Sequence, residues 1–233
     1  MLSADTRRKL QHSVLGRGET LEALYLDNFY SAFSRAEQQQ LLAVPFDATY
    51  DSYLHYWFSK PNASLLRRML YADQKTYLVE LLMKQDQMSM ACSIESRVPF
   101  LDHRFVEFAM RMPDNLKIRG TTQKYALKAA VADLLPPGIV HRKKMGFPTP
   151  LRQWLREPLA DSILTGLQDS KSWIAEFINL DEVRQLLQSH RSGWVDATDR
   201  IWRLMNLQIW GDVFLTGKRE RQPTALSEGA PAR

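Results

Sequence analysis

The chain has 233 residues, 45% apolar and 24% charged, a globular balance that excludes a wholly disordered polypeptide. A single cysteine, Cys92, excludes an internal disulfide framework and a zinc site built on several thiolates. The net charge of +5 suits an anionic ligand such as a nucleotide and would also suit nucleic acid, so it does not separate the two. No apolar run approaches the roughly 20 residues of a membrane span. The first ten residues, MLSADTRRKL, hold no apolar core of a secretory signal, and the expected compartment is the reducing cytoplasm. The 10 glycines are never adjacent, and neither G-x-G-x-x-G nor G-x-x-x-x-G-K-[ST] occurs, so no phosphate-cradling loop is visible.

Residues 1–45 read as helical and polar, interrupted at Gly16 and Gly18. The stretch Phe46–Lys60 is rich in aromatics (Tyr50, Tyr53, Tyr56, Trp57, Phe58) and ends at Pro61. It reads as a helix–helix interface, or as the seat of a partner domain. Asp73 is placed to cap a helix over 74–90, with Leu78, Leu81, Leu82 and Gln85 on one face. Ala91–Asp102 shows no period, and Pro99 argues against a helix there. Asp102 reads as the N-cap of a helix running to about Met112 and stopped by Pro113. Leu116–Gly120 fits a short strand or loop.

Thr121 or Thr122 is placed to cap the next helix, over 122–135. Its stripe of Leu127, Ala130, Val131, Leu134 and Leu135 is the cleanest helical signal in the chain, and Pro136-Pro137-Gly138 terminates it. His141–Pro150 is a basic loop. Further helices are predicted over 151–166, over 181–190 with Val183, Leu186 and Leu187 inward and Gly193 as stop, and over 198–215 with Trp202, Met205, Ile209 and Val213 as its stripe. After Gly217 the chain has almost no apolar content, so 217–233 reads as a disordered tail. There is no internal repeat. The chain is therefore expected to be mainly α.

Three places could carry chemistry. Within Lys84–His103, Asp86, Glu95, Arg97 and Asp102 gather in and after the end of a helix. The plain structural alternative is a solvated Asp86, a surface pair Glu95–Arg97 and an Asp102 that only caps. Lys124 falls in the first turn of the 122–135 helix, where a cation opposes the macrodipole unless a bound phosphate reverses the sign. An ordinary solvated lysine, with Lys128 one turn later, is the alternative. His141-Arg142-Lys143-Lys144-Met145-Gly146-Phe147 could clamp a polyphosphate, or be a solvated basic loop or a nucleic-acid patch. Cys92, Met88 and Met90 read as packing residues, and the five histidines lack zinc-ligand spacing.

Tyr77–His103 (YLVELLMKQDQMSMACSIESRVPFLDH) closely resembles the synthetase domain of glutamine-dependent asparagine synthases, which reads Y-L-x-x-x-L-L-x-K-x-D-x-x-S-M-A-x-S-x-E-x-R-x-P-F-L-D. The resemblance continues through Leu116–Gly120, Lys124-Tyr125, Leu134-Leu135-Pro136, and Arg142–Phe147, with a Pro-Leu before Trp154. It covers about residues 1–216 as one C-terminal part of the synthetase domain. It implies the helical C-terminal portion of an α/β adenine-nucleotide α-hydrolase-like (PP-loop ATP pyrophosphatase) fold.

The resemblance also implies a ligase that makes asparagine from aspartate, ATP and glutamine-derived ammonia through an acyl-adenylate, with Mg²⁺ accompanying ATP. Lys124 matches the cation needed at the phosphorus and the tetrahedral intermediate. Glu95 is the candidate to orient or deprotonate the amine. Arg97 would fix Glu95 or bind a substrate carboxylate, Asp102 would bind substrate or nucleotide, and Arg142, Lys143, Lys144 and Gly146 would close over pyrophosphate. Asp86 is a candidate Mg²⁺ ligand. Related amide-forming synthetases, of polysaccharide clusters or of the β-lactam and lasso-peptide types, and a non-catalytic module are the alternatives.

The departures matter equally. The family's N-terminal cysteine nucleophile, its S-G-G-x-D-S pyrophosphate loop and the S-G-[ED]-G-x-D-E segment are absent from these 233 residues. The chain therefore reads as a truncated product, a split subunit or an excised fragment, inactive alone. An upstream chain carrying the glutaminase domain and PP-loop is the expected partner, and no nucleic-acid or membrane partner is expected.

Overall fold

The computed structural model describes residues 20–21, 24–27, 31–44, 46, 48–142, 149–156 and 161–217. Among them the chain is mainly helical, with one two-stranded sheet. It divides into two compact units, residues 48–147 and the remainder.

In the 48–147 unit, α2 (Asp51–Phe58) packs on α3 (Leu65–Lys75), following α1 (Arg35–Leu41) of the other unit in chain order. Tyr50, Tyr53 and Trp57 are buried, so the aromatic stretch is a helix–helix interface as its composition predicts. Arg68 of α3 stacks on Trp57 at 4.3 Å and donates from Nε to the Trp57 carbonyl at 3.1 Å. Ser64 caps α3 by accepting from the Arg67 N–H. Asp73 does not cap a helix but lies within α3. The chain breaks at Thr76, and α4 (Tyr77–Met90) starts there without a side-chain cap. The Thr76 hydroxyl turns back to donate to the Ala72 carbonyl at 2.8 Å, so its side chain is directed at the preceding turn rather than at the start of α4.

Pro99–Leu101 forms a 3-10 turn, and α5 (His103–Arg111) begins with Asp102 as N-cap. After α6 (Asp114–Lys117), β1 (Ile118–Arg119) pairs antiparallel with β2 (Thr122–Gln123), Ile118 opposite Gln123. Gly120, at φ +58°, makes the turn between them. This hairpin overturns the 122–135 helix. Thr122 and Gln123 are in the ladder, and α7 runs only over Tyr125–Ala130. Residues 131–134 continue as turns, and Leu134 and Leu135 are exposed, so the apolar stripe has no surface to pack on. A helix this short draws its stability from packing, which the stripe does not find here. Pro136-Pro137-Gly138 does not stop a helix; Pro137–Val140 starts one, α8, where proline's fixed φ suits the first turn.

The other unit holds a core of Leu41, Leu155, Leu164, Leu167, Ile174, Ile178, Val183, Leu187, Ala197, Ile201, Leu204 and Met205. Of the helix predicted over 151–166, the described parts are α9 (Leu151–Trp154) and α10 (Asp161–Gly166), with turn at Leu155-Arg156. Trp173–Glu176 is a 3-10 turn. The predicted 181–190 helix is α11 (Leu180–Arg191), capped by Asn179, with Val183 and Leu187 buried and Leu186 half-buried.

On the last helix, α12 (Thr198–Phe214), Met205 of the predicted stripe is buried, but it lies on an edge with Ile201, Leu204, Gln208 and Gly211, while Trp202, Ile209 and Val213 are exposed. Trp173 sets this edge. Its indole N–H donates to the Gln208 carbonyl at 3.0 Å, and a Cβ at Gly211 would overlap the indole ring. No helix among the described residues is long and apolar enough to cross a membrane. The proposed tail, beyond Gly217, lies outside the described residues.

Candidate functional site

The motif segment is built around the end of α4. The Ile94 N–H reaches back to the Ser89 carbonyl at 3.0 Å and the Ser93 N–H to that of Met90 at 2.9 Å, with Ser93 in the left-handed region at φ +58°. This geometry usually takes glycine at its left-handed position. A side chain there costs on the order of 1 kcal/mol and is held by the surrounding bonds. The turn reverses the chain so that Ser96 Oγ accepts from Gln85 Nε2 at 3.1 Å. Glu95 and Arg97 flank Ser96 and point into solvent as an ion pair at 3.0 Å.

Asp102 closes the segment. Its Oδ1 accepts from the N–H groups of Arg104 at 3.0 Å and Phe105 at 3.3 Å, and Arg104 Nε lies 3.9 Å away. One oxygen is therefore committed to fixing the start of α5. Asp86 is exposed on α4. No group of three His, Cys, Asp or Glu among the described residues could hold a metal. As a lone exposed carboxylate, Asp86 would take part in holding Mg²⁺ alongside phosphate oxygens.

Lys124 is not in the first turn of a long helix. It is the N-cap of six-residue α7, in left-handed backbone at φ 55°, with its side chain exposed. The helix-dipole argument for a phosphate at this position loses its basis. Ser93 and Lys124 are the two non-glycine residues with positive φ among those described, and both lie in segments that carry the resemblance. Next to Lys124, the Tyr125 hydroxyl accepts from Arg119 at 2.5 Å, and the Arg119 guanidinium lies 4.9 Å from the Tyr125 ring centroid. Arg142 is exposed; Lys143, Lys144 and Gly146 lie outside the described residues. Met88 and Met90 are exposed rather than packed, because α4 buries no residue at all, and Cys92 in the turn after it is exposed too.

All the candidates that are described, from Asp86 to Arg142, fall in the 48–147 unit. That unit has 15 Lys and Arg against nine Asp and Glu, so the chain's positive charge is concentrated where the candidates are. Spacing alone did not reveal two features of the other unit. A cavity of about 210 Å³ is lined by Phe33, Glu37, Leu186, Ser189 and Arg200, among others. The Arg200–Glu37 pair at 2.6 Å spans its wall, joining residues 163 positions apart. His190 is fully buried, its Nδ1 accepting from the Ala197 N–H at 3.1 Å and its Nε2 without a partner. Burial first, then the Arg156 guanidinium, pushes His190 below its ordinary pKa, against the pull of Asp196. Burial would raise the pKa of Asp196, but bonds from the Thr198 hydroxyl and N–H, and the charge of Arg152, hold it below the usual value.

Comparison with known proteins matches the asparagine synthase family over residues 3–212. Asparagine synthetase [glutamine-hydrolyzing] 1 of Bacillus subtilis is 34% identical over 219 residues, covering 92% of this chain and 34% of that protein. Asparagine synthetase [glutamine-hydrolyzing] 3 of the same organism is 29% identical over 128 residues, 55% of this chain and 21% of its own length. Amidase chyE of Penicillium rubens is 25% identical over 164 residues, 66% of this chain and 24% of its own length. No solved structure matches. The chain spans about a third of the length of the first of these relatives. A family match over residues 3–212, almost the whole chain, shows that the chain belongs to the asparagine synthase family.

Proposed function

We propose that this chain supplies the C-terminal part of the synthetase site of an ATP-dependent, amide-forming ligase of the asparagine synthase type. In this reading the aspartate side-chain carboxylate attacks the α-phosphorus of ATP. An O–P bond forms, the bond to the β-phosphate oxygen breaks, and pyrophosphate leaves. Ammonia derived from glutamine then attacks the acyl carbon, the C–O bond to AMP breaks, and the nitrogen gives up a proton. Glu95 takes that proton or orients the ammonia, with Arg97 at 3.0 Å holding its carboxylate in place. Asp102 acts as a positioning residue through α5, since its Oδ1 already serves the backbone.

Negative charge on the phosphates and the pentavalent phosphorus calls for cations. Lys124 and the Arg142-Lys143-Lys144 run are the candidates, within the positively charged 48–147 unit. The metal enters with ATP, and Asp86 would touch it only beside the phosphates. The observation that supports the reading most is the exposed Glu95–Arg97 pair, set on a turn with left-handed backbone inside the family motif.

The test is aspartate-dependent ATP–pyrophosphate exchange. The 233-residue polypeptide alone should give none, because its sequence lacks the S-G-G-x-D-S loop; robust exchange would refute this. In an enzyme completed with that loop, Lys124→Ala and Glu95→Ala should each lower synthesis by at least about a hundredfold while leaving the fold intact. Lys144→Ala in parallel shows which lysine answers the phosphate charge. Near-normal rates in both the Lys124 and Glu95 variants would remove those assignments. A second reading is an amide-forming ligase with other substrates, since a protein named for different amide chemistry, amidase chyE, shares the resemblance. Adenylation of a panel of carboxylates separates the two.

A further inference from the structure

We propose that the cavity between α1, α11 and α12 is a binding site for a free α-amino acid with an apolar side chain. It lies outside the 48–147 unit, so it goes beyond the reaction proposed above and does not depend on it.

Three helices supply the walls at helical spacing. Glu37 and Leu41 lie one turn apart on α1, Glu182, Leu186 and Ser189 follow one face of α11, and Arg200 comes from the first turn of α12. Main-chain bonds hold α1 in place: the Asn179 N–H donates to the Leu41 carbonyl at 2.7 Å, and the Ala43 N–H to the Phe177 carbonyl at 2.8 Å. The floor is apolar. Leu41 belongs to the core of this unit, and Phe33, Leu186 and Val195 pack against that core. A largely pre-formed, apolar hollow with a few polar groups at its rim is the usual form of a small-molecule site.

The charges choose the ligand. The Arg200 side chain is 19% exposed, and among the described residues it bonds only to Glu37, from Nη1 to Oε1 at 2.6 Å. Its other donors are not sealed off without a partner, so a ligand can reach them. Glu37 is already committed: its second oxygen accepts from the Ser34 N–H at 2.7 Å and the Ser34 hydroxyl at 2.8 Å. Glu182 is half-buried and makes no hydrogen bond or ion pair with a described residue. The site thus offers an arginine with donors to spare and an uncommitted carboxylate over an apolar floor. Two carboxylates against one guanidinium repel a simple carboxylic acid. A simple amine leaves the guanidinium donors unfilled. A zwitterion answers both, its carboxylate on Arg200 and its ammonium on Glu182. The cavity of about 210 Å³ has the room of about seven waters at ~30 Å³ each, which suits an amino acid of leucine's size. A second carboxylate on the ligand would meet only the apolar floor.

The test titrates L-leucine into the full 233-residue chain, followed by calorimetry and amide NMR. Saturable binding in the millimolar range is expected, with shifts at Leu186, Ser189 and Arg200 and a raised unfolding midpoint. Isocaproate, which lacks the amine, and isoamylamine, which lacks the carboxylate, should each bind at least about tenfold more weakly, and so should L-aspartate. Glu182→Gln breaks no bond to a described residue, so its unfolding midpoint without ligand should match the parent's. In this variant leucine binding should fall at least about tenfold while isocaproate binding does not fall. Absence of leucine binding by the folded chain overturns the proposal, as does undiminished leucine binding by Glu182→Gln. An analogue that binds as well as leucine overturns the zwitterion assignment. Tighter binding of aspartate than of leucine overturns it too, and gives the cavity to a substrate of the proposed reaction. Failure of ATP–pyrophosphate exchange counts against that reaction and leaves this site standing, because none of its residues is assigned a step there.

Discussion

The two units differ in how they are closed. Outside residues 48–147, thirteen apolar residues are buried among those described, twelve of them in one cluster, and the buried edge of α12 is fixed by the Trp173 indole against Gly211. Within 48–147 five apolar residues are buried, while nineteen large apolar ones are exposed. One unit carries its own core. The other carries the family motif on a surface whose packing its own residues do not supply. A motif can thus be fully formed locally, with cap, turn and ion pair in place, on helices that bury none of their own residues.

The sharpest test of this contrast is large-to-small substitution. Trp57→Ala, which removes one of the five buried apolar side chains, should destabilise the 48–147 unit by about 3–5 kcal/mol. Ile201→Ala should cost the other unit about 2–5 kcal/mol. Met83→Ala, in contrast, should stay within about 0.5 kcal/mol. Urea titration followed by hydrogen exchange assigns each loss to its unit, and a cost at Met83 equal to that at Ile201 would break the comparison.

A smaller effect is the pH dependence of His190. Its folded pKa lies below the unfolded value of 6.5, so the unfolded chain binds the proton first. Stability from this group is fully present above pH 6.5 and falls as the pH drops below it, by at most about 1.4 kcal/mol per pH unit until the folded pKa is reached. Asp196 adds a second loss only below its unfolded value of 3.8. His190→Asn, whose Oδ1 can still accept from the Ala197 N–H, should flatten the first phase in urea midpoints measured from pH 7 to 5. Next, Asp102→Ala should cost about 1 kcal/mol by freeing two N–H groups at the start of α5. Smallest of all, Glu95→Gln should change stability by under about 0.5 kcal/mol, because the pair it breaks is exposed. A large stability loss there would make Glu95 a structural residue.

What was legible in the sequence follows the same division. Asp102 as a cap, α11 and the aromatic interface at Tyr53 and Trp57 all came from local pattern, and local pattern decides them. The 122–135 helix does not form at that length because its stripe has nothing to pack on: Leu134 and Leu135 face solvent, and the Gly120 turn draws Thr122 and Gln123 into a hairpin. On α12 only Met205 of the expected stripe faces inward, because glycine carries no apolar signal in a sequence, whereas Gly211 is the point of closest approach. The Ser93 turn was invisible because serine does not advertise left-handed backbone. The Arg200–Glu37 wall joins distant residues that no short-range spacing links.

The break at Thr76 carries a last consequence. A single unbroken helix from Leu65 to Met90 would lock the angular phase of its two halves, since each residue turns the helix by about 100°. An insertion near Leu65 would then swing Asp86 and the start of the Ser93 turn around the axis. With the ladder interrupted at Thr76, α3 can keep its grip on Trp57 while α4 sets its own phase. Insertions and deletions upstream of residue 76 should therefore be tolerated without rotating the motif, whereas those between Tyr77 and Ser93 should not.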